Sequence, residues 1–189
     1  AFIFSAETRF INMEIRNADF FKIHAIDGAP RLLGKLLCTN INGEVKKLRI
    51  TETECYMGTD DLACHASKGK TPRNSVLYED GGLCYVYIVY GMHNLVNVIF
   101  GAKDFPEGAL IRCCEGYEGP ARLTKALGID RSLNRESFLT SDKIWLEDDG
   151  YKPAEVVTKP RVGVDYAGEY WAKIPWRFVD ITKVDSCKK

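Results

Sequence analysis

No run of about 18 uninterrupted apolar residues occurs in this chain, and a membrane-spanning helix needs one. A transmembrane helix is therefore not expected. The opening AFIFSAETRFIN is broken by Glu7 and Arg9, which makes it a poor signal peptide. Histidine is scarce, with three in the chain, and no Cys-x-x-Cys pair exists. Zinc takes about four ligands at characteristic spacings, so the neighbours Cys64 and His65 are not read as a metal site, and no metal is expected. An excess of charge of either sign is also missing: Lys plus Arg and Asp plus Glu number 26 each, for a formal net charge of zero. That argues against a dedicated nucleic-acid binder, which is basic overall. A neutral chain can still segregate its charge. SKGKTPRN (67–74) is basic, Arg122, Lys125, Arg131 and Arg135 cluster along the chain, and the acids of LEDDG (146–150) lie elsewhere.

The seven cysteines are odd in number and spread through apolar segments. This fits reduced thiols in an intracellular protein: cytoplasm or nucleoid in a bacterium, nucleus in a eukaryote. With 189 residues, of which 46% are hydrophobic and 28% charged, the chain has the composition of an ordinary globular domain and enough length to bury a full core. Met13 reads as a start. Residues 1–12 read as an N-terminal extension with no assigned function, and 13–189 as a single domain.

Local signals give an α+β domain: a curved antiparallel sheet, short surrounding helices and a protruding hairpin. Residues 17–37 have helical character broken by Gly28 and Pro30, so two short helices are expected, Asn17 or Asp19 capping the first. LLCTNI and EVKKLRITETECY flank Asn42-Gly43, the favoured pair for a two-residue type I′ hairpin turn. Residues 57–82 are polar and glycine-rich, hence loop or short helix. LCYVYIVY (83–90) and LVNVIFGA (95–102) are strands joined by a turn at residues 91–94, and GALIRCCE (108–115) is another strand. GPARLTKALGID holds a helix that begins just after Pro120 and is ended by Gly128. The tail from residue 159 has strand-like ends around a glycine-containing loop.

One stretch raises a question. TETECYMGTDDLACH (51–65) continues the strand VKKLRI. Side chains alternate along a strand, so Leu48, Ile50, Glu52, Glu54 and Tyr56 are expected on one face. That face begins apolar and ends in two carboxylates and an aromatic ring. A partly desolvated glutamate beside aromatics has a pKa raised toward the range of a general base. Solvated glutamates paired with Lys47 or Arg49 are the plainer alternative, as a capped or core imidazole is for His65. In the second hairpin, Tyr85 and Tyr87 share a face by the period of two. Tyr90 and Met92 sit at a turn, where an aromatic and a methionine are unusual. Tyr90 either packs back onto the domain or acts as a wedge inserted between stacked bases. Aromatics and a base near a basic loop describe a site that holds a flat ring and activates water, as in enzymes that extrude a nucleotide into a pocket. A carboxylate there would stabilise the oxocarbenium-like transition state of N-glycosidic hydrolysis and deprotonate the attacking water.

The segments ETECYMG, DDLACHASKGKTPRN, YVYIVYGMH, GPARLTKALGI and RVGVDYAGEYWAKIPWRF, in this order, closely resemble the alkyladenine (3-methyladenine) DNA glycosylase family. The resemblance runs from about residue 19 to about residue 180. It implies a monofunctional hydrolase that flips alkylated purines (3-methyladenine, 7-methylguanine) out of double-stranded DNA. Such an enzyme acts as a monomer without metal or cofactor and leaves an abasic site. By resemblance Glu54 is the general base, a choice between Glu52 and Glu54 that strand parity leaves open. Tyr56 and Tyr87 resemble the rings that sandwich the flipped base, and His65 the group at its edge. Tyr90, with Met92 beside it, resembles the residue that fills the vacated stack. Asn97 resembles the side chain that disfavours normal guanine. Arg112 and the backbone of Val162 resemble the groups that hold the nucleophilic water and the backbone phosphate.

This chain also departs from the pattern. Ala121 stands where the family often has a second glycine, and Leu95 and Val96 stand where family sequences vary around a cysteine. These changes bear on lesion range. Cys55 and Cys64, beside pocket residues, are expected to be buried and inert. Three rival readings remain: a glycosylase mainly for deaminated or etheno purines, a non-catalytic binder of damaged DNA, and an RNA-binding domain.

Overall fold

The computed structural model describes residues 13–184; the extension expected over residues 1–12 lies outside the described residues. The first hairpin forms where Asn-Gly places it. Asn42 and Gly43 both have positive φ, 54° and 83°, as a type I′ turn requires. They join β1 (Leu36–Ile41) to β2 (Glu44–Met57) in antiparallel register. At 14 residues, β2 is long enough to serve two neighbourhoods. Its first half pairs with β1, and its second half pairs with β5 (Glu107–Cys114). β3 (Cys84–Val89) and β4 (His93–Ile99) form the second hairpin, and β4 continues onto β5. The short β6 (Tyr117–Glu118) adds to β5, and β7 (Ile144–Glu147) adds to β1. β8 (Val156–Lys159) pairs with β9 (Arg177–Asp180), which joins β2 at Glu52–Glu54. All of these pairings are antiparallel, and among the described residues they make one nine-stranded sheet. Helices are few and short, so the α+β expectation holds.

Two sequence readings need correction. Strict alternation put Leu48 and Ile50 on the face of the carboxylates. The register jumps between Ile50 and Thr53, a β-bulge that inserts extra residues and turns the strand over. Before the bulge, Leu48 and Ile50 pack into the main core; after it, Thr53 and Cys55 do, and Glu52, Glu54 and Tyr56 look the other way. The second turn also lies earlier than expected. Val89 C=O accepts from Met92 N–H at 3.1 Å, and Tyr90 and Gly91 carry the positive φ angles, 50° and 69°. His93 and Asn94 already belong to β4. β7 had no clear signal in the sequence.

The main core lies on one face of the sheet. Cys84 and Val86 of β3, Val96 and Val98 of β4, and Ala109 and Ile111 of β5 meet Phe21, Phe100, Phe138 and two helices there. These are α1 (Ala25–Arg31), following a 3-10 turn capped by Asn17, and α2 (Pro120–Leu127), stopped by left-handed Gly128. The alternate residues of the same strands face the opposite side and are free to build a site. α1 approaches the sheet closely because Gly28 has no side chain: a Cβ there would lie 2.5 Å from Phe100 Cε1. Gly28→Ala is expected to cost about 1–3 kcal/mol, the range for overpacking a filled core. Thermal unfolding checks this, and an unchanged Tm would contradict the close approach.

Candidate active site

Sheet register assembles the site. Tyr85 pairs with Asn97, Asn97 with Leu110, and Leu110 with Glu54. One row therefore crosses β3, β4, β5 and β2 on the face away from the core. Tyr87, Tyr56 and Arg112 flank that row by alternation. Together with His65, Val162 and Tyr166 they line a pocket of about 730 Å³. The structure thus brings together Glu54, Tyr56, His65, Tyr87, Asn97, Arg112 and Val162, all singled out in the sequence. Tyr90 borders the pocket, and Met92 lies at the hairpin tip beyond it; they are 91% and 69% exposed. Tyr90 does not pack back onto the domain.

Glu54 is wholly buried. Val162 N–H donates to its Oε1 at 2.8 Å, and Tyr56 O–H donates to its Oε2 at 3.1 Å. Arg112 Nε lies 3.4 Å from Oε1 and 3.1 Å from Glu52 Oε1. Glu52 is held in turn by Arg177 at 3.0 Å. Burial pushes the Glu54 carboxyl above its ordinary range, and Arg112, Val162 N–H and Tyr56 O–H offset part of that rise. Glu54 is therefore a desolvated carboxyl with fixed donors, while Glu52 serves as a ligand for two arginines. This geometry separates two residues that strand parity left as alternatives.

His65 opens a short 3-10 helix, His65–Lys68. Asn74 closes the loop behind it by donating to the His65 and Gly69 carbonyls, both at 2.9 Å. The imidazole Nδ1 sits 3.0 Å from Tyr85 Oη, and the ring meets Tyr87 edge-on at 4.6 Å between centroids. Desolvation by the pocket wall and then the charge of Arg73 lower its pKa, so His65 is neutral near pH 7. Asn97 is buried and donates to Tyr85 C=O at 3.1 Å. Cys55 and Cys64 are buried, and burial holds the Cys64 thiol up at about 12. Burial raises the Cys55 thiol as well, which keeps both in the thiol form at neutral pH. Among the described residues no group of three His, Cys, Asp or Glu side chains is arranged to hold a metal ion, and no helix is long and apolar enough to cross a membrane.

Sequence reasoning missed the pair beneath this site. Arg161 and Asp61 are both inaccessible to solvent, and the guanidinium grips the carboxylate at 2.6 and 2.8 Å. Arg161 also donates to Cys55 C=O at 2.9 Å and sits 4.8 Å from the Tyr56 ring centroid. Asp61 accepts from Met57 N–H and Ala63 N–H. Burial alone would lower the Arg161 pKa; the bond and charge of Asp61 outweigh it and raise it. Nothing local distinguishes Asp61 from its exposed neighbour Asp60; only the contact across 100 residues does.

The comparisons bear on what such a site belongs to. The family model described as methylpurine-DNA glycosylase matches residues 19–119 and 116–183. The chain belongs to the methylpurine-DNA glycosylase family. It is 42% identical over 168 residues to a Myxococcus xanthus protein, covering 84% of this chain and 86% of the other. It is 38% identical over 188 residues to one from Methanocella arvoryzae, covering 89% and 93%. A third, from Psychrobacter cryohalolentis, is 40% identical over 171 residues, covering 75% and 80%. All three carry the name "Putative 3-methyladenine DNA glycosylase".

The buried pair makes a quantitative prediction. Asp61→Leu leaves a buried guanidinium unpaired, at a cost of about 3–5 kcal/mol in urea denaturation. Adding Arg161→Met removes that charge, so the double variant should be more stable than Asp61→Leu alone. Additive losses would contradict a coupled pair.

Proposed function

We propose that this protein is a monofunctional DNA glycosylase that excises alkylated purines of the 3-methyladenine and 7-methylguanine type, the first step of base excision repair. The observation that carries this reading is Glu54: a buried carboxyl with a raised pKa, held by the Val162 N–H, the Tyr56 hydroxyl and the charge of Arg112 at the wall of an aromatic pocket. A base placed between Tyr56 and Tyr87 stacks on both rings, and a cationic purine adds a cation–π attraction. As the N-glycosidic bond breaks, its electron pair goes to the purine nitrogen and positive charge develops on the sugar. Water adds to the anomeric carbon, Glu54 takes its proton, and the ionised carboxylate faces the developing cation. The Val162 N–H and Arg112 fix the carboxylate so that little reorganisation accompanies the step. No covalent link to the protein is needed, which is the monofunctional outcome.

Tyr90 supports base extrusion. A bulky residue at positive φ is uncommon, and here it presents an exposed aromatic ring at a hairpin tip beside the pocket. Such a ring fills the gap left by a flipped nucleotide. Damaged bases pair and stack poorly, so they leave the duplex at lower cost. Neutral, deaminated or etheno purines form the second reading, because pocket shape alone does not exclude them. A non-catalytic damage binder would have no use for a buried, desolvated carboxyl, which costs stability whenever it ionises.

The test is single-turnover release of free 3-methyladenine from methylated duplex DNA. Wild type should release it, and Glu54→Gln should be slower by about 10²-fold or more, the usual worth of general base catalysis. The variant should also fold well. A carboxyl whose pKa is raised by folding contributes stability below its unfolded value, and that stability is lost as pH rises through the folded value. Loss of the charge is therefore not itself destabilising at neutral pH. Release at the wild-type rate by Glu54→Gln would refute the assignment.

A further inference from the structure

Two arginines line the pocket, Arg73 and Arg112. Arg112 lies between Glu52 and Glu54, and Arg161 beneath the pocket is paired with Asp61. Arg73 belongs to the basic segment 67–74. Its Nη2 donates to Ile88 C=O at 3.4 Å, and its guanidinium stands 5.8 Å from the Tyr87 ring centroid. No ion pair with a carboxylate forms at Arg73 among the described residues. Arg73 is exposed and lines the pocket, and it sets a positive charge without a carboxylate partner against one of the two rings that the proposed function assigns to stacking. The negative charge that acts on the same ring is Glu54, itself paired with Arg112.

We propose that Arg73 is a specificity-determining residue that biases the pocket toward neutral purine lesions and against cationic ones. This inference rests on the glycosylase reading above: Arg73 narrows the advantage that the stacking rings give a cationic purine and so widens the lesion range of that site. The charge balance of the reaction gives it a sign. When a neutral purine leaves, the electron pair of the broken bond makes it an anion, and a nearby positive charge stabilises that departure. When a cationic alkylpurine leaves, it becomes neutral; the same charge repels it in the bound state and gives its departure no electrostatic help. Arg73 also engages the π face of Tyr87 with one cation, which weakens the cation–π attraction of that ring for a second. The charge lies within one Debye length of the pocket, so salt screens it only in part.

Single-turnover excision at saturating enzyme tests this, with duplexes carrying either hypoxanthine (neutral) or 7-methylguanine (cationic). In Arg73→Gln the ratio of hypoxanthine to 7-methylguanine rate constants should fall by about fivefold or more from the wild-type ratio, the scale of one partly screened charge contact. Arg73→Lys should hold the ratio near wild type, because charge rather than shape sets it. Two results would overturn the proposal. One is an equal slowing of both substrates in Arg73→Gln, which would make Arg73 a phosphate contact or a structural residue. The other is a ratio that stays constant or rises. Release of 3-methyladenine but of neither hypoxanthine nor 7-methylguanine by wild type would overturn this inference alone; release of none of the three would take the glycosylase reading with it.

Discussion

The contact between Arg161 and Asp61 holds the candidate site in place. Asp61 follows β2 by a few residues, and Arg161 precedes β9 across 100 residues of sequence. A buried ion pair is stabilising only when its geometry is good and its remaining donors and acceptors are met. Here the pair is bidentate, Asp61 accepts two backbone N–H groups, and Arg161 donates to the Cys55 carbonyl, so most of these needs are met and the Arg161 Nε alone is left without a partner. One consequence is positional: Val162, the next residue, has its N–H directed at Glu54. Another concerns the ring above, since the guanidinium backs Tyr56 while the Tyr56 hydroxyl donates to Glu54. The base candidate, its backbone donor and one stacking ring therefore share an anchor.

The other constraint is the bulge in β2. A regular strand of this length would keep one set of residues in the core from end to end. The bulge lets Leu48 and Ile50 serve the core before it and Thr53 and Cys55 after it. Glu52, Glu54 and Tyr56 then face the pocket. Thr53 secures the turned segment by donating to Ala29 C=O at 2.9 Å, so α1 pins the strand at the point where the carboxylates emerge. The acid in this strand lies on its far face, beside arginines and tyrosines. It is not a continuation of the core face.

Much of this was legible in the sequence, for identifiable reasons. Asn42-Gly43, Pro120 and Gly128 are local signals, and the hairpin and the helix lie where they place them. Period two put Tyr85 and Tyr87 on one face, as found. The residues brought into the pocket were legible through a pattern of five ordered blocks resembling a family. No single spacing would have separated Glu54 from Glu52. What was not legible depends on contacts distant in sequence. A bulge is set by how β2 pairs with β5, so parity alone misassigned Ile50. Asp61 looks like any loop aspartate until Arg161 reaches it. The β7 strand, IWLE, is too short and too uniformly buried to show a period. The early turn at Tyr90 was hidden because aromatics are rare at positive φ.

The central claim is that folding desolvates Glu54 and keeps it as the base. The most direct measurement is the pH dependence of single-turnover purine release by wild type and Glu54→Gln. A base works only when ionised, so the account predicts an acid limb with its midpoint above the ordinary glutamate range, following the direction of the Glu54 shift, and the loss of that limb in Glu54→Gln. A midpoint at or below the ordinary range, or the same limb in both proteins, would contradict it.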